Sequence, residues 1–316
     1  MALGTDRSIA RLTCAAGLVL AVLLGCARQT ATTASPRVEA PAVTRRTMIP
    51  YDEVAAAPAP PADHIETYGD GPLQFGELRL PHGTSRAPIV MLIHGGCWLS
   101  AYTLDHTRAA AAAIADAGYA VWTPEYRRVG DKGGGFPGTF NDIRDAIALI
   151  PALAAKYPAL DASRVVLVGH SAGAQLALSA AGLRPTGAQR GMRIVGVVSL
   201  AGITDMAVYA SPKGCGAAVV PLMGSAPSDS TDVWRAFNPI RRLPMGIPVR
   251  LVHGVDDPIV PIAQSRTYAE RARAAGVPLA LVEIPGGGHF DVVATQSTAW
   301  PAVLDAIRAL APLSRP

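Results

Sequence analysis

This sequence has few aromatic residues, few charged residues and few cysteines. Of its 316 residues, 5% are aromatic, 16% are charged and 4 are cysteine, and the formal net charge is +4. It contains no C-x-x-C pair and no G-x-x-x-x-G-K-[ST] motif, which are signatures of compact metal or redox sites and of phosphate-binding loops. The basic residues form no cluster, whereas nucleic-acid binding needs a basic face. We therefore expect no nucleic-acid partner and no metal or organic cofactor.

The first 25 residues have the features of a bacterial export signal. Arg7 and Arg11 precede an apolar stretch that is too short to be a comfortable membrane span. The stretch ends in Leu-Leu-Gly before Cys26, an arrangement similar to the lipobox, in which the cysteine is lipidated and becomes the first residue. We expect removal of residues 1–25, a lipid on Cys26 and a mature lipoprotein anchored to a membrane of the bacterial cell envelope, outside the cytoplasm. The alternative is an ordinary secretory signal and a secreted or periplasmic protein.

Composition divides the rest of the chain into a linker and one domain. Residues 26–63 are rich in Ala, Thr, Pro and Arg, and such a segment buries too little apolar surface to offset its ordering entropy. We expect this segment to be a flexible tether. Residues 64–316 have a different pattern, and their length suits a single domain.

Apolar strands and helical segments alternate along this domain. Residues 64–81 are predicted to form a strand pair. The later segment PIVMLI is apolar throughout, and RVVLVG and VRLVHG are nearly so. Helices are predicted between these strands, including one amphipathic helix over residues 139–157. Strands of this kind form a parallel sheet covered by helices on both faces. Ligands bind beyond the carboxyl ends of such strands, so the residues after each strand are candidates for a site.

The segment VVLVGHSAGAQL places a serine where a buried strand turns into a helix. Gly169, Ser171 and Gly173 fit the pattern G-x-S-x-G. At such a turn the serine oxygen points away from the sheet, and glycines are needed because the two backbones pass too close for a side chain. The helix directs its first N–H groups at negative charge that forms there. We interpret Ser171 as a nucleophile rather than as the N-cap of a glycine-lined helix.

A serine becomes reactive only with a base and with a group that orients the base. His289 follows the last predicted strand within GGGHFD, where glycines leave the imidazole free to reach across the strand ends. The preceding strand ends in HGVDDPIVP and offers Asp256 and Asp257, and Asp205 follows an earlier strand. The order Ser…Asp…His is typical of one class of catalytic triad.

These strand ends resemble those of the α/β-hydrolase family over about residues 64–312. The family pattern H-G-x-x-D-x-x-V-P, counted from His253, falls on Asp257, so the resemblance implies that this residue is the catalytic acid rather than Asp256. It also implies an α/β-hydrolase fold, with a mostly parallel central sheet, helices on both faces and a small lid within residues 206–247.

The first parallel strand ends in HGGCW, which looks like the H-G-G-x-W oxyanion loop of the small esterase and kynurenine-formamidase-like branch of that family. By that resemblance Gly96 and Cys97 donate N–H groups to the oxyanion, together with Ala172 after the nucleophile, and His94 braces the loop. The cysteine at position 97 departs from the usual pattern of this loop. Cys97 and Cys215 either form a disulfide that pins the lid segment over the site or remain free thiols.

The resemblance implies a serine hydrolase that cleaves short-chain or aryl carboxylic esters through an acyl-enzyme intermediate. A small lid suits such small-molecule substrates better than long triglycerides. The same triad would serve an amidase similar to kynurenine formamidase. A catalytically inactive hydrolase fold that only binds a ligand is the alternative from another class. His106 and His170 lie near the site segments in the sequence, and we expect both to be structural.

Overall fold

An eight-stranded, mostly parallel sheet lies at the centre of the structure, a computed structural model that describes residues 46–81, 86–181, 191–228 and 231–313. The strands are β1 (His64–Thr67), β2 (Phe75–Arg79), β3 (Ala87–Ile93), β4 (Ala120–Pro124), β5 (Leu160–His170), β6 (Ile194–Leu200), β7 (Val249–Gly254) and β8 (Leu279–Ile284). Their order across the sheet is β1-β2-β4-β3-β5-β6-β7-β8. The β1–β2 and β2–β4 pairs are antiparallel and the other pairs are parallel, so the sheet is mostly parallel, as predicted.

Both faces of the sheet are buried because strand residues alternate between two apolar clusters. Every residue of β3 is buried. Met91 and Ile93 belong to one cluster, whereas Val90 and Leu92 belong to the other. Successive side chains of a strand point to opposite faces, so a strand without polar residues needs apolar cover on both sides.

Helices supply that cover. They are α1 (Tyr51–Ala55), α2 (Arg108–Asp116), α3 (Gly138–Ala148), α4 (Ile150–Lys156), α5 (Ala172–Ala181), α6 (Met206–Tyr209), α7 (Val219–Met223), α8 (Asp232–Phe237), α9 (Ala263–Ala274) and α10 (Trp300–Leu310). Buried residues of α2 and α10 join the cluster of Val90, and those of α3, α4, α5 and α9 join the cluster of Met91. No helix in the described ranges is both long enough and apolar enough to cross a membrane.

The single helix predicted over residues 139–157 is divided into α3 and α4. Pro151 lies in the first turn of α4. Proline has no N–H group, so it cannot extend the hydrogen-bond ladder of the preceding helix, but it is tolerated where a new helix begins. The prediction was therefore wrong at this junction, although the helical segments on either side of it are present.

The predicted lid, within residues 206–247, contains α6, α7 and α8 and two short 3-10 helices, Gly214–Ala218 and Pro239–Arg242. Val219, Leu222 and Trp234 are buried in the cluster that also contains α5. This segment is therefore packed against the domain by its own apolar side chains.

The predicted tether, residues 26–63, is described only from residue 46 onward, and the predicted export signal, the lipidation site Cys26 and residues 27–45 lie outside the described residues. Residues 46–63 are not a tether, so that part of the prediction was wrong. Ile49 and Val54 are buried among the apolar residues of one sheet face. The segment loses conformational entropy when it becomes ordered. Burial of these two apolar side chains offsets part of that loss, which the composition of the segment does not indicate.

The proline-rich end of this segment is held by a buried arginine. Arg79, at the end of β2, is 4% exposed, and its Nη1 atom donates to the carbonyl oxygens of Pro60 and Pro61 at 2.8 and 3.1 Å. A buried guanidinium needs acceptors, and main-chain carbonyl groups in an extended proline-rich segment are free to provide them. Residues 46–63 are therefore part of the folded domain.

Candidate active site

Ser171 lies at the sharp turn between β5 and α5. Its φ angle is 55°, a left-handed conformation that is uncommon for a residue with a side chain and that is characteristic of strained functional turns. A Cβ atom on Gly169 would overlap the main chain of Gly173, and one on Gly173 would overlap the carbonyl oxygen of Ile93. The two glycines of the G-x-S-x-G pattern are therefore required by the close approach of α5 to β3 and β5.

His289 and Asp257 form a buried hydrogen-bonded pair at the ends of β8 and β7. The distance from His289 Nδ1 to Asp257 Oδ2 is 2.7 Å. The two residues are 4% and 8% exposed, and Ser171 is 2% exposed. Ser171 and His289 line the same cavity. The structure thus places Ser171 and His289 in one cavity and pairs His289 with Asp257.

Asp257 accepts hydrogen bonds on both carboxylate oxygens. Oδ1 accepts from the main-chain N–H groups of Ile259 and Val260, each at 2.8 Å. Oδ2 lies 3.2 Å from Nε2 of His253, in addition to His289. Burial alone would raise the pKa of Asp257, but the hydrogen bonds from His253 and His289 outweigh it and hold this pKa far below its ordinary value. The group is therefore an ionised acceptor beside His289.

The other two aspartates considered from the sequence do not reach His289. Asp256 is exposed, and its main-chain N–H donates to the carbonyl oxygen of Gly287. Asp205 caps the start of α6, where its side chain accepts from the main-chain N–H of Ala207. The geometry thus selects Asp257 among the three.

The loop after β3 lies directly against the serine turn. Gly96, Cys97 and Trp98 all have left-handed φ angles, of 102°, 55° and 56°. A Cβ atom on Gly95 would lie 3.0 Å from the Cβ atom of Ser171, so no larger residue fits between the loop and the turn without movement. Gly96 and Cys97 line the cavity that contains Ser171. Ala172, whose N–H is the third predicted donor, is the first residue of α5.

Trp98 belongs to the core rather than to the cavity wall. It is fully buried, and its indole N–H donates to Oε1 of Gln175 on α5 at 3.0 Å. This contact ties the loop after β3 to the helix after Ser171.

His94 braces the same loop through a buried network that the sequence did not identify. Its ring nitrogens lie 2.8 Å from the carbonyl oxygen of Gly95 and 2.9 Å from Oε1 of Glu125. Arg128 contacts the same oxygen of Glu125 at 3.0 Å. Burial would raise the pKa of Glu125, but the interaction with His94 and the charge of Arg128 lower it. The position of Glu125 in the sequence is the signal that could have identified it. This residue directly follows β4, and β4 is the neighbour of β3, the strand that precedes His94.

Cys97 and Cys215 form a disulfide, with 5.0 Å between their Cα atoms. Of the two alternatives open from the sequence, the structure has the bridge. It joins the loop after β3 to the segment of residues 206–247, across 118 positions of the chain. That segment is thereby fixed beside Ser171.

Two adjoining cavities lie next to the Cys97–Cys215 disulfide. The cavity at Ser171 has a volume of about 210 Å³. Its walls are Tyr51, Gly96, Cys97, Tyr102, His106, His170, Ser171, Cys215, Ile259, His289 and Phe290. A larger cavity of about 770 Å³ is lined by residues of α6, α9 and the loop after β7. Cys215 and Ile259 line both, so the two cavities meet at this wall.

Two further histidines of the smaller cavity are buried and neutral. His170 Nε2 and His106 Nδ1 each lie 3.1 Å from a carbonyl oxygen, that of His289 and that of Thr103. A carbonyl oxygen only accepts, so these nitrogens carry the ring protons. Burial is the largest cause that lowers the pKa of His106 to about 3 and the pKa of His170 well below its ordinary value. His170 thus holds the main chain of His289, while Asp257 holds its ring.

Within the described ranges, no three or more His, Cys, Asp and Glu side chains are arranged to hold a metal ion. The histidines of the cavity have other partners: His289 pairs with Asp257, and His106 and His170 each pair with a main-chain carbonyl oxygen. The chemistry available to Ser171, His289 and Asp257 is proton transfer between the serine hydroxyl and the imidazole. The other nitrogen of that imidazole is held by the carboxylate.

The sequence profile of the BD-FAE family matches residues 77–271, which is well over half of the chain. The chain belongs to the BD-FAE family. The BD-FAE match includes Gly96, Ser171 and Asp257 and ends before His289. Esterase LipC of Mycobacterium tuberculosis is 28% identical over 244 residues, which are 72% of this chain and 59% of LipC. This BD-FAE protein thus spans about three fifths of the curated relative's length.

Solved structures show the same fold. A truncated form of a carbohydrate esterase from gut microbiota has a TM-score of 0.66 at 22% identity, covering 79% of this chain and 98% of that chain. Esterase B from Lactobacillus rhamnosis has a TM-score of 0.65 at 21% identity, covering 80% of this chain and 86% of that chain. Together with the strand order, these likenesses confirm the predicted α/β-hydrolase fold.

Proposed function

We propose that this protein is a serine hydrolase that cleaves carboxylic esters of small molecules. The observation that carries the proposal is the buried His289–Asp257 pair, with 2.7 Å between Nδ1 and Oδ2, in the cavity of Ser171. Because Nδ1 donates to the carboxylate, Nε2 is the nitrogen left to accept the serine proton. The esterase relative supports the same chemistry.

In the proposed reaction, Ser171 Oγ attacks the ester carbonyl carbon while its proton passes to His289 Nε2. The tetrahedral intermediate then collapses, the carbon–oxygen bond to the alcohol breaks, and His289 gives its proton to the departing oxygen. Water next attacks the acyl-enzyme, giving its proton to His289, which returns it to Ser171 as the acid leaves. Asp257 stabilises the imidazolium that forms in each half of the reaction.

The oxyanion of each intermediate is proposed to receive N–H groups from Ala172 and from the loop of Gly96 and Cys97. The left-handed conformations of that loop support this role. They orient its main-chain N–H groups differently from those of an extended segment. The network of His94 and Glu125 and the disulfide at Cys97 hold the loop in this form before substrate arrives. Because these N–H donors are already in position, no free energy is needed to reorient them during the reaction.

The size of the cavity supports short-chain or aryl esters. Its volume of about 210 Å³ is below the range of about 300–1,000 Å³ typical of ligand sites, so it suits only one small part of a substrate. The adjoining cavity of about 770 Å³ has room for the remainder.

We also propose that the protein is an exported lipoprotein anchored to the bacterial cell envelope through Cys26. The disulfide supports this location, because such bonds form and persist in oxidising compartments outside the cytoplasm. Mass spectrometry of the membrane-bound protein tests it: a lipid on an N-terminal Cys26 is expected, and an unmodified, soluble mature chain would contradict the anchor.

The catalytic proposal is tested by labelling with a fluorophosphonate probe and by hydrolysis of p-nitrophenyl acetate and butyrate. We expect the probe on Ser171, and a loss of kcat of at least about 10³-fold in Ser171→Ala. Ser163→Ala, at an exposed serine of the same strand, is the matched control and should retain full activity. Equal turnover by wild type and Ser171→Ala would contradict the proposal. Cleavage of an N-formyl aryl amide, without cleavage of either ester, would identify an amidase instead.

A further inference from the structure

Residues 46–57, here called the N-terminal strap, are bound to the loop that carries His289. The carboxylate of Asp291, two residues after His289, accepts from the main-chain N–H of Met48 at 2.9 Å and of Ile49 at 2.7 Å. The same carboxylate accepts from the N–H of Gly288 at 3.0 Å. Asp291 is fully buried. One side chain therefore fixes the strap and the residue before His289 at the same time.

The contact between strap and loop extends beyond this carboxylate. The carbonyl oxygen of Arg46 accepts from the N–H of Thr298 at 3.0 Å, and Glu53 accepts from the side chain of Gln296 at 2.9 Å. Ile49 and Val54 are buried in the apolar cluster that contains Val292 and Val293 of the same loop. Polar contacts at two places and apolar burial between them make the strap a fixed part of the domain.

Docking of the strap brings one aromatic side chain to the site. Tyr51, the first residue of α1, lines the cavity of Ser171. Its ring centroid lies 5.4 Å from that of Phe290, 5.5 Å from that of Tyr102 and 5.9 Å from that of His106. These distances are typical of packed aromatic rings. Tyr51 therefore completes an aromatic wall that the rest of the domain leaves open.

The position of this wall limits what the smaller cavity can hold. Cys215 and Ile259 line both cavities, whereas Tyr51 lines only the smaller one. A substrate can thus extend past Cys215 into the larger cavity, whereas Tyr51 forms part of the wall of the smaller cavity alone. With a volume of about 210 Å³, the smaller cavity accepts a short chain and excludes a long one.

We propose that Tyr51 is a specificity-determining residue: the strap closes the acyl site, and the Tyr51 ring sets the longest acyl chain that the enzyme accepts. The inference rests on the proposed ester hydrolysis. It assigns the acyl group to the smaller cavity and the alcohol to the larger one. Removal of the ring should therefore change the preference for acyl length and leave the preference for alcohol length unchanged.

The test compares full-length wild type, Tyr51→Ala and Tyr51→Phe on p-nitrophenyl acetate, butyrate and octanoate. In Tyr51→Ala we expect the octanoate-to-butyrate ratio of kcat/KM to rise at least about tenfold, since even one methylene group in an apolar pocket is worth that much. Tyr51→Phe keeps the ring and should keep the wild-type ratio. Tyr51→Leu is a second variant, in case the Ala variant melts well below wild type.

Acetate esters of ethanol, butanol and octanol form the second arm, and their relative rates should be the same in all variants. An unchanged acyl ratio in Tyr51→Ala and Tyr51→Leu would overturn the inference, and so would a change confined to the alcohol series. Failure of the proposed function looks different, because then wild type and Tyr51→Phe would hydrolyse none of these esters and no probe would label Ser171.

Discussion

Replacing Asp257 by asparagine should nearly abolish turnover while leaving the fold intact. The carboxylate has four donors around it, the N–H groups of Ile259 and Val260 on Oδ1 and the side chains of His253 and His289 on Oδ2. An asparagine side chain has one oxygen and one NH₂ group, so it can accept at only one of these two positions.

The two orientations of the asparagine amide differ in cost. With NH₂ toward the main chain, two buried N–H groups lose their acceptor, at about 1–3 kcal/mol each. With NH₂ toward the histidines, His253 can still donate to the carbonyl oxygen of Val260 at 2.9 Å, and His289 can change its tautomer. The second orientation is therefore favoured. It moves the proton of His289 to Nε2, the atom that must accept the serine proton.

The expected size of the effect is large. A change of this kind in the triad of a serine protease lowers kcat about 10⁴-fold, which corresponds to about 5 kcal/mol of transition-state stabilisation. We expect a similar loss for Asp257→Asn, measured as kcat on p-nitrophenyl butyrate. The melting temperature should change little, because the favoured orientation leaves no buried main-chain donor without a partner.

Asp256→Asn is the matched control, since this neighbouring aspartate is exposed and does not contact His289. Exposed substitutions of this kind change stability by less than about 0.5 kcal/mol, and we expect turnover within about twofold of wild type. If Asp257→Asn retained more than a tenth of the wild-type kcat, or if Asp256→Asn lost as much as Asp257→Asn, the tautomer argument would be refuted.

Two further predictions concern stability. Cys97→Ser combined with Cys215→Ser should lower the free energy of unfolding by about 5 kcal/mol in urea titrations, because the bridge closes a loop of 118 positions; equal stability of variant and oxidised wild type would contradict this. Burial lowers the pKa of His106 to about 3, so its neutral form contributes stability that is complete above the ordinary value of 6.5 and is lost as pH falls from 6.5 toward 3. We expect His106→Phe to show a shallower loss of unfolding free energy than wild type over that interval, by up to about 1.4 kcal/mol per pH unit, and parallel curves would refute the assignment.

Much of the site could be predicted from the sequence because its signals are local. Strands that are apolar nearly throughout specify a parallel sheet, since burial on both faces is what suits them. The glycines around Ser171 are spaced by the turn itself, as the overlaps at Gly169 and Gly173 show. The placement of His289 after the last strand follows from the rule that the carboxyl ends of parallel strands meet at one edge of the sheet.

Other features depended on contacts between distant segments. Composition assigned residues 46–57 to a tether, because nothing in their own sequence indicates that Asp291 lies within reach of their N–H groups. The bridge between Cys97 and Cys215 likewise depends on where two loops meet. The role of Glu125 beside His94 depends on β4 being next to β3 in the sheet.

The sequence by itself determined the architecture and the turn that presents Ser171, since both follow from hydrophobic periodicity and from the conformational freedom of glycine, which act over a few residues. Only the tertiary structure decided which aspartate contacts His289, whether the cysteines pair and which residues close the cavity. These depend on side-chain directions and distances across the sheet, which the packing of the whole domain fixes.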